Sequence, residues 1–265
     1  YSVWVVEEFV FSPKWRLQAG LRGDYFNFDV DDKAGKALEA APTGVPHASG
    51  YAQQGMLNPK MNLVFTANRN LEFYLNVGSG FHSNDARGTT ITVDPVTGEP
   101  VDRVDPLVES RGAEAGFKTV FLGSWVSSLA VWYLELDSEL LFVGDAGITE
   151  PSRPSQRWGV EFNNTWSLTD VWRLEADFAW TDAQFSDNAP EGDDIPGALE
   201  TVVTGAISAQ YPNGWFGSFR VRYFGGAPLV EDNSVESDGS TMANLALGWS
   251  NQVWRLQVDV LNVFD

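Results

Sequence analysis

Apolar and polar residues alternate with a period of two along most of this chain, and no other feature restricts its fold as much. From Val171 onward, Trp172, Leu174, Ala176, Phe178 and Trp180 share one parity, and Arg173, Glu175, Asp177 and Thr181 share the other. The run from Trp15 sets Trp15, Leu17, Ala19, Leu21 and Tyr25 against Arg16, Gln18, Arg22 and Asp24. The run from Trp215 sets Trp215, Phe219, Val221 and Tyr223 against Ser218, Arg220 and Arg222. Trp254, Leu256, Val258 and Val260 oppose Arg255, Gln257 and Asp259 in the same way. Successive side chains of a strand point to opposite faces, so these runs read as strands with one oily and one polar face. Helical spacing is scarce. Residues 129–137 are apolar on both parities, and sequence leaves their faces unassigned.

The connections alternate in length. Short turns fall near Ser12–Lys14, Asn68–Asn70, Gly123–Ser124, Leu168–Asp170, Pro212–Gly214 and Ser250–Gln252. Long polar segments rich in Gly, Pro, Asp, Asn and Ser fall near 31–56, 81–106, 143–156, 186–199 and 225–240. That rhythm predicts an antiparallel up-and-down meander of about twelve strands over residues 1–265, treated as one domain. Trp-Arg-Leu recurs just after three short turns, at Trp15, Trp172 and Trp254, as a faint internal repeat.

Two environments produce such alternation. A soluble fold turns the apolar face inward, and a membrane barrel turns it outward to lipid with a polar lumen. Three features favour the barrel. Rings bracket the short turns (Phe11 and Trp15, Phe121 and Trp125, Trp166 and Trp172, Tyr211 and Trp215, Trp249 and Trp254), as in an interfacial girdle. Trp172 and Trp180 are eight residues apart on one face, about 20 Å along the membrane normal, and Trp15 to Tyr25 gives about 25 Å, the height of an outer-membrane apolar band. Finally, most of the net charge of −19 lies in the long segments; 186–200 and 225–240 hold five and four acidic residues with no Lys or Arg.

Composition removes other classes. An acidic chain with 17 Lys and Arg against 36 Asp and Glu is a poor nucleic-acid binder. The absence of Cys excludes disulfides, zinc fingers and thiol catalysis, and two histidines, His47 and His82, exclude a His-rich metal site. No apolar run is long enough for a transmembrane helix. The chain opens at Tyr1 without a leader's charged and apolar regions, so the expectation is a signal peptide absent or already removed.

Two stretches carry a family resemblance. One is Gly78 to Gly88, G-S-G-F-H-S-N-D-A-R-G, after the strand Leu71–Val77; the other is Leu256 to Asp265, L-Q-V-D-V-L-N-V-F-D. With Gly159-Val160-Glu161 and the Trp-Thr-Asp-Ala within Ala176–Asp182, they resemble TonB-dependent outer-membrane receptors. The resemblance implies a twenty-two-stranded barrel around an N-terminal plug, with capture by outer loops and import energised through TonB. Residues 1–265 show no match to the plug, the TonB box, the first half of the barrel or an aromatic-ended last strand that the resemblance implies. The expectation is therefore a C-terminal portion of a barrel, open or incomplete, with unpaired edges near Val3–Phe11 and Trp254–Phe264.

Candidate site residues follow. His82, Asn84, Asp85 and Arg87 are expected at a strand end, either bonded locally or facing a substrate vestibule. Contiguous His82, Ser83 and Asn84 point alternately, so they do not converge as a hydrolytic triad, and no catalytic residue is expected. Arg16, Arg173, Arg220, Arg222 and Arg255 are expected on the lumen face, toward a plug; for Arg16, Arg173 and Arg255, which recur one step inside short turns, the alternative is pairing with Glu175, Asp24 or Asp259 across strands. The acidic stretches Asp187–Asp194 and Glu231–Asp238 suit a hydrated surface or divalent bridges to lipopolysaccharide; they lack the Asp-x-Asp-x-Asp-Gly loop of a calcium site, and no metal or cofactor is expected. The function expected is uptake of a scarce nutrient, such as a ferric siderophore or similar chelate, across the bacterial outer membrane. Its partners would be outer-membrane lipid and lipopolysaccharide, the plug, TonB and the nutrient. The alternatives are a passive porin-like channel and a soluble β-rich carbohydrate-binding protein.

Overall fold

Wherever the alternation is clean the backbone is extended, and each short polar turn reverses it. The structure is a computed structural model that describes residues 1–31, 49–92, 100, 102–138, 140–143, 148–151 and 153–264. Its strands are β1 (Ser2–Ser12), β2 (Trp15–Val30), β3 (Gly50–Asn68), β4 (Leu71–Ser83), β5 (Leu107–Phe121), β6 (Trp125–Leu136), β7 (Leu140–Val143), β8 (Ile148–Pro151), β9 (Ser155–Ser167), β10 (Trp172–Phe185), β11 (Thr201–Gln210), β12 (Trp215–Phe224), β13 (Ser240–Ser250) and β14 (Arg255–Val260). Twelve form one open antiparallel sheet in chain order, with β1 and β14 at its edges; β7 and β8 make a separate hairpin between β6 and β9. The dozen-strand meander is as expected.

Boundaries differ from the sequence reading. β3 begins at Gly50, inside the expected loop 31–56; β4 runs on to Ser83; and the β7–β8 hairpin occupies part of 143–156. Strands overrun the apolar pattern because the backbone ladder does not need oily side chains once both faces meet water. The last edge strand is shorter than Trp254–Phe264. At Asn262 the backbone takes a left-handed φ of 52°, which Asn tolerates, and regular pairing ends, although Val263 N still donates to Ala243 O at 2.7 Å. Residues 32–48, 93–99 and 144–147, with Pro42, Pro46 and His47, lie outside the described residues.

Side-chain-to-backbone bonds close the short turns. Asn68 Oδ1 accepts from Asn70 N at 2.9 Å, Thr169 Oγ1 from Trp172 N at 3.0 Å, and Asn251 Oδ1 from Trp254 N at 2.7 Å. Asn, Ser and Thr mimic a backbone turn this way, which is why they punctuate the sequence there. Leu122 and Gly123 both take positive φ, the geometry of a tight hairpin with a right-handed strand twist.

Register fixes the faces. One hydrogen-bonded row runs Trp15, Phe65, Phe73, Phe117, Leu129, Phe162, Phe178, Val203, Tyr223. It leaves a short turn at Trp15 and arrives eight residues above another short turn at Trp215. Eight steps of about 4.8 Å against eight residues of about 3.3 Å give a strand tilt of about 35°, within the range of outer-membrane barrels. The polar face is concave. Side chains from Gln18 on β2 to Glu161 on β9, six neighbouring strands, line one hollow of about 580 Å³.

The other face carries two aromatic belts. At the short-turn end Trp15 and Phe65 lie 4.6 Å apart between ring centroids, Phe65 and Phe73 6.5 Å, Phe73 and Phe117 6.2 Å, and Trp125 and Trp166 5.6 Å. Eight to ten residues higher, rings turn polar heads toward the long segments. Tyr25 Oη donates to Gln53 at 2.6 Å, Trp158 Nε1 donates to Asp182 at 3.0 Å, and Trp158 meets Trp180 edge-on at 4.7 Å. Between the belts stand apolar side chains, on β6 Leu129 and Val131, whose faces sequence left open. Trp172, Phe178 and Trp215 are 37%, 41% and 58% exposed, so the tryptophan rows do not form an enclosed core. Of the buried apolar residues Leu107, Val108, Phe185, Ile195, Ala227 and Ala243, all but Ala243 sit at the long-segment end. Among the described residues one ionisable side chain, Glu7 opposite Ala19 on the edge strand, breaks the apolar band, and nothing in the structure explains it.

On the concave face, rings fill the space above glycines of the next strand. A Cβ on Gly159 would lie 2.7 Å from the Trp132 ring and 2.6 Å from Trp180 O; one on Gly116 would meet the Tyr74 phenol at 2.6 Å; one on Gly248 would meet the Phe216 ring. Trp132 thus sits inward as a plate over a glycine, which accounts for the apolar residues on both parities of β6. Substituting Gly159→Ala is expected to cost about 1–3 kcal/mol, because ring and carbonyl must both move. It would register as a lower unfolding temperature in heat-modified gel mobility, and an unchanged midpoint would contradict the interlock.

Candidate functional site

At the long-segment end two rim blocks stand on the wall. The first follows β4. His82 has the parity of Asn76, Gly78 and Gly80 and so belongs to the concave face. Asn84 is buried, not a free vestibule group: its Nδ2 donates to Asp105 O at 2.6 Å and its backbone N to Pro106 O at 3.0 Å, zipping the loop's two ends together. Asp85 and Arg87 meet at 2.6 Å, and Asp85 Oδ1 also accepts from Arg87 N at 2.9 Å, an Asx turn. Thr89 and Thr90 are buried, and the Thr89 hydroxyl donates to Ala86 O at 2.8 Å. The block seats on its neighbours, with Thr90 beside Gly50 and Leu107 N donating to Gln54 Oε1 at 2.8 Å. Of the four expected residues, the structure brings Asp85 and Arg87 together and gives Asn84 a scaffold role. Arg87 keeps 65% of its side chain exposed and can donate further.

The hydrogen bonds from Arg87 hold the Asp85 carboxyl below its ordinary 3.8. A depressed carboxylate contributes stability that is complete above that value and lost as pH falls through the lower folded one. Amide protection across 85–91 is therefore expected to hold from neutral pH to about pH 4 and to fall below it, and Asp85→Asn should abolish that dependence.

The second block was not legible in sequence. Arg153, with 18% of its side chain exposed, donates through Nε to Asp187 at 2.6 Å and through Nη1 to Glu231 at 2.8 Å and Gly192 O at 2.7 Å. Its guanidinium carbon lies 4.4 Å from the buried Phe185 ring centroid. Three segments, before β9, after β10 and after β12, are thereby held as one body, supported by Asp194 N to Glu231 O at 3.0 Å and Gly197 N to Pro228 O at 2.8 Å. The one clue in sequence is that Arg153 is the single basic residue of 143–156. Burial, then Asp193, Asp182 and Glu236, push the Asp194 carboxyl up, so this rim carries crowded negative charge. Among the described residues no three His, Asp or Glu side chains converge as a metal site. Arg153→Met leaves Asp187 and Glu231 without their cation. The expected cost is about 1–3 kcal/mol of local stability, seen as faster amide exchange in 186–200 and 226–237 with the strands unaffected.

Below the rim, the concave face alternates charge. Arg16 pairs with Glu72 at 3.1 Å, a partner 56 residues away and none of the three carboxylates expected; Asp24 is buried and bound by Arg22 at 2.8 Å. Arg220 pairs with Glu175 at 2.8 Å, so that carboxylate is taken by an arginine for which no partner was expected. Arg222 lies over the Phe224 ring at 5.9 Å. Arg173 and Arg255 share the face at the short-turn end, the latter 4.2 Å over the Phe216 ring. Sequence reasoning did not single out Lys60, Glu114 and Glu161, which line the large hollow. The arrangement has no nucleophile with a base; it can bind and guide ions and polar groups.

Comparison with known proteins agrees with this geometry. Residues 1–263 match the family model described as TonB dependent receptor-like, beta-barrel. Similar solved structures include the ferric-catecholate import receptor Fiu of E. coli K12 in its closed form (TM-score 0.75, 16% identity, 100% of this chain and 40% of that one). The ferric yersiniabactin uptake receptor FyuA of Yersinia pestis gives 0.76 at 13% identity, covering 100% and 40%. The copper transporter OprC gives 0.77 at 14% identity, covering 100% and 42%. The chain thus spans about two fifths of the length of these solved proteins. No curated protein matches it.

Proposed function

This chain belongs to the TonB-dependent receptor β-barrel family, and from that premise we propose that it forms part of the wall of an outer-membrane receptor for TonB-coupled uptake of a scarce nutrient, a ferric siderophore or similar chelate. One observation carries the reading: a mainly apolar face, with Glu7 its one ionisable residue between two aromatic belts among the described residues, backs a concave face set with charge. The first face suits hydrocarbon and the second suits a hydrated or protein-filled lumen. Similarity to two ferric-chelate receptors and a copper transporter supports a metal-bearing cargo. In this reading the rim blocks take part in capture, with His82, Asp85 and Arg87 toward the vestibule and Asn84 holding their loop. Arg16, Arg173, Arg220, Arg222 and Arg255 face the lumen and the plug of the complete receptor. The wall performs no covalent chemistry; lipid and lipopolysaccharide surround it, and TonB supplies the energy.

The test is uptake of radiolabelled iron chelates and copper by the native host, with the gene intact, deleted or restored. Deletion is expected to reduce uptake of one cargo at least about tenfold, and collapse of the proton-motive force should do the same. Uptake that persists without that force would identify a passive channel instead. Arg87→Ala should raise the half-saturating concentration a few-fold with little change in maximal rate.

A further inference from the structure

The five arginines expected on the lumen face differ in what surrounds them. Arg16 and Arg220 are neutralised by Glu72 and Glu175, and Arg222 lies over a ring. Arg173 and Arg255 line a second hollow, of about 490 Å³, at the short-turn end of the wall, together with Ser208, Gln210, Ser218 and Gln257. Among the described residues Arg173 has no ion-pair or hydrogen-bond partner. The Arg255 guanidinium carbon lies 4.2 Å from the Phe216 ring centroid, and its Nη2 donates to Gln257 Oε1 at 2.9 Å. Gln257 in turn donates to Asp259 at 2.8 Å, so an amide stands between that carboxylate and the guanidinium. Asp170, in the β9–β10 turn, is the one acidic residue in the lining. Two cations against one carboxylate make this a positive site in a chain of net charge −19.

We propose that this hollow binds a carboxylate between Arg173 and Arg255. Guanidinium forks match carboxylate oxygens in pairs, and Arg255 is already oriented for it. The Ser208 and Ser218 hydroxyls and the Gln210 amide supply neutral donors for the remaining lone pairs. The carboxylate has two possible sources: an acidic side chain of the polypeptide inside the lumen, or a carboxylate-bearing small molecule crossing it. The site depends on the barrel wall and not on the identity of the nutrient.

Electron cryo-microscopy of the complete natural protein, without and with citrate, separates the two sources. A carboxylate of the lumen polypeptide about 3 Å from both guanidiniums without additive assigns the first, and citrate density there only when it is added assigns the second. Binding of radiolabelled citrate by the protein lacking a resident carboxylate should weaken at least about tenfold in the double variant Arg173→Gln, Arg255→Gln, with an unchanged unfolding temperature. Arg173 turned onto Asp170, both guanidiniums solvated in both maps, or equal citrate binding by the double variant would each overturn the proposal. Failure of import in the host would leave these outcomes untouched.

Discussion

Every backbone amide and carbonyl in hydrocarbon needs a partner, and strand pairing is how this chain provides one. The ladder across twelve strands, irregular only near the short turns at Val10–Ser12 and Thr66–Asn68 among the described residues, is what permits the rest. Since the ladder satisfies the main chain, side chains are released to segregate by face. An isolated stretch of alternating residues would have no reason to keep one register; here a slip of a single position would put Arg173 among the tryptophans and Trp172 in the lumen. Pairing and segregation therefore enforce each other, and short turns closed by Asn, Ser and Thr hold that agreement at the narrow end.

Charge follows the same logic at a second level. On the concave face it is arranged as pairs drawn from distant strands, such as Arg16 with Glu72 and Arg220 with Glu175. Such pairs stitch the curvature without a hydrophobic core beneath. At the rim the apolar residues that are truly buried, Phe185 and Ile195 among them, form a small separate core. There Arg153 offsets part of a strong acidic excess. The wall and the rim are thus stabilised by different means.

The wall was legible in sequence because lipid and water each impose a strict parity and because rings mark where the two meet. The strand count, the short turns, the tryptophan belts and the inward arginines all follow from that. Less was legible where the constraint is three-dimensional. β6 read as ambiguous because Trp132 covers Gly159 on the adjacent strand, a fit that exists only once register is set. Glu175, Asp24 and Asp259 were the carboxylates in view for Arg16, yet its partner, Glu72, is on β4. In the 82–87 stretch the residue types were informative but not their burial; Asn84 proved to be a brace. Arg153 stayed hidden because its partners come from segments 34 and 78 residues away.

The climbing hydrogen-bonded row from Trp15 to Tyr223 has a mechanical consequence. The wall is threaded like a screw, so axial and circumferential displacement are coupled. Inserting two residues within any one strand would lift or lower every belt position on one side of it by about 5 Å, breaking alignment with the interfaces over the whole remaining circumference. Length variation is therefore tolerable only outside the thread, which is a structural reason for the long segments to gather at a single end.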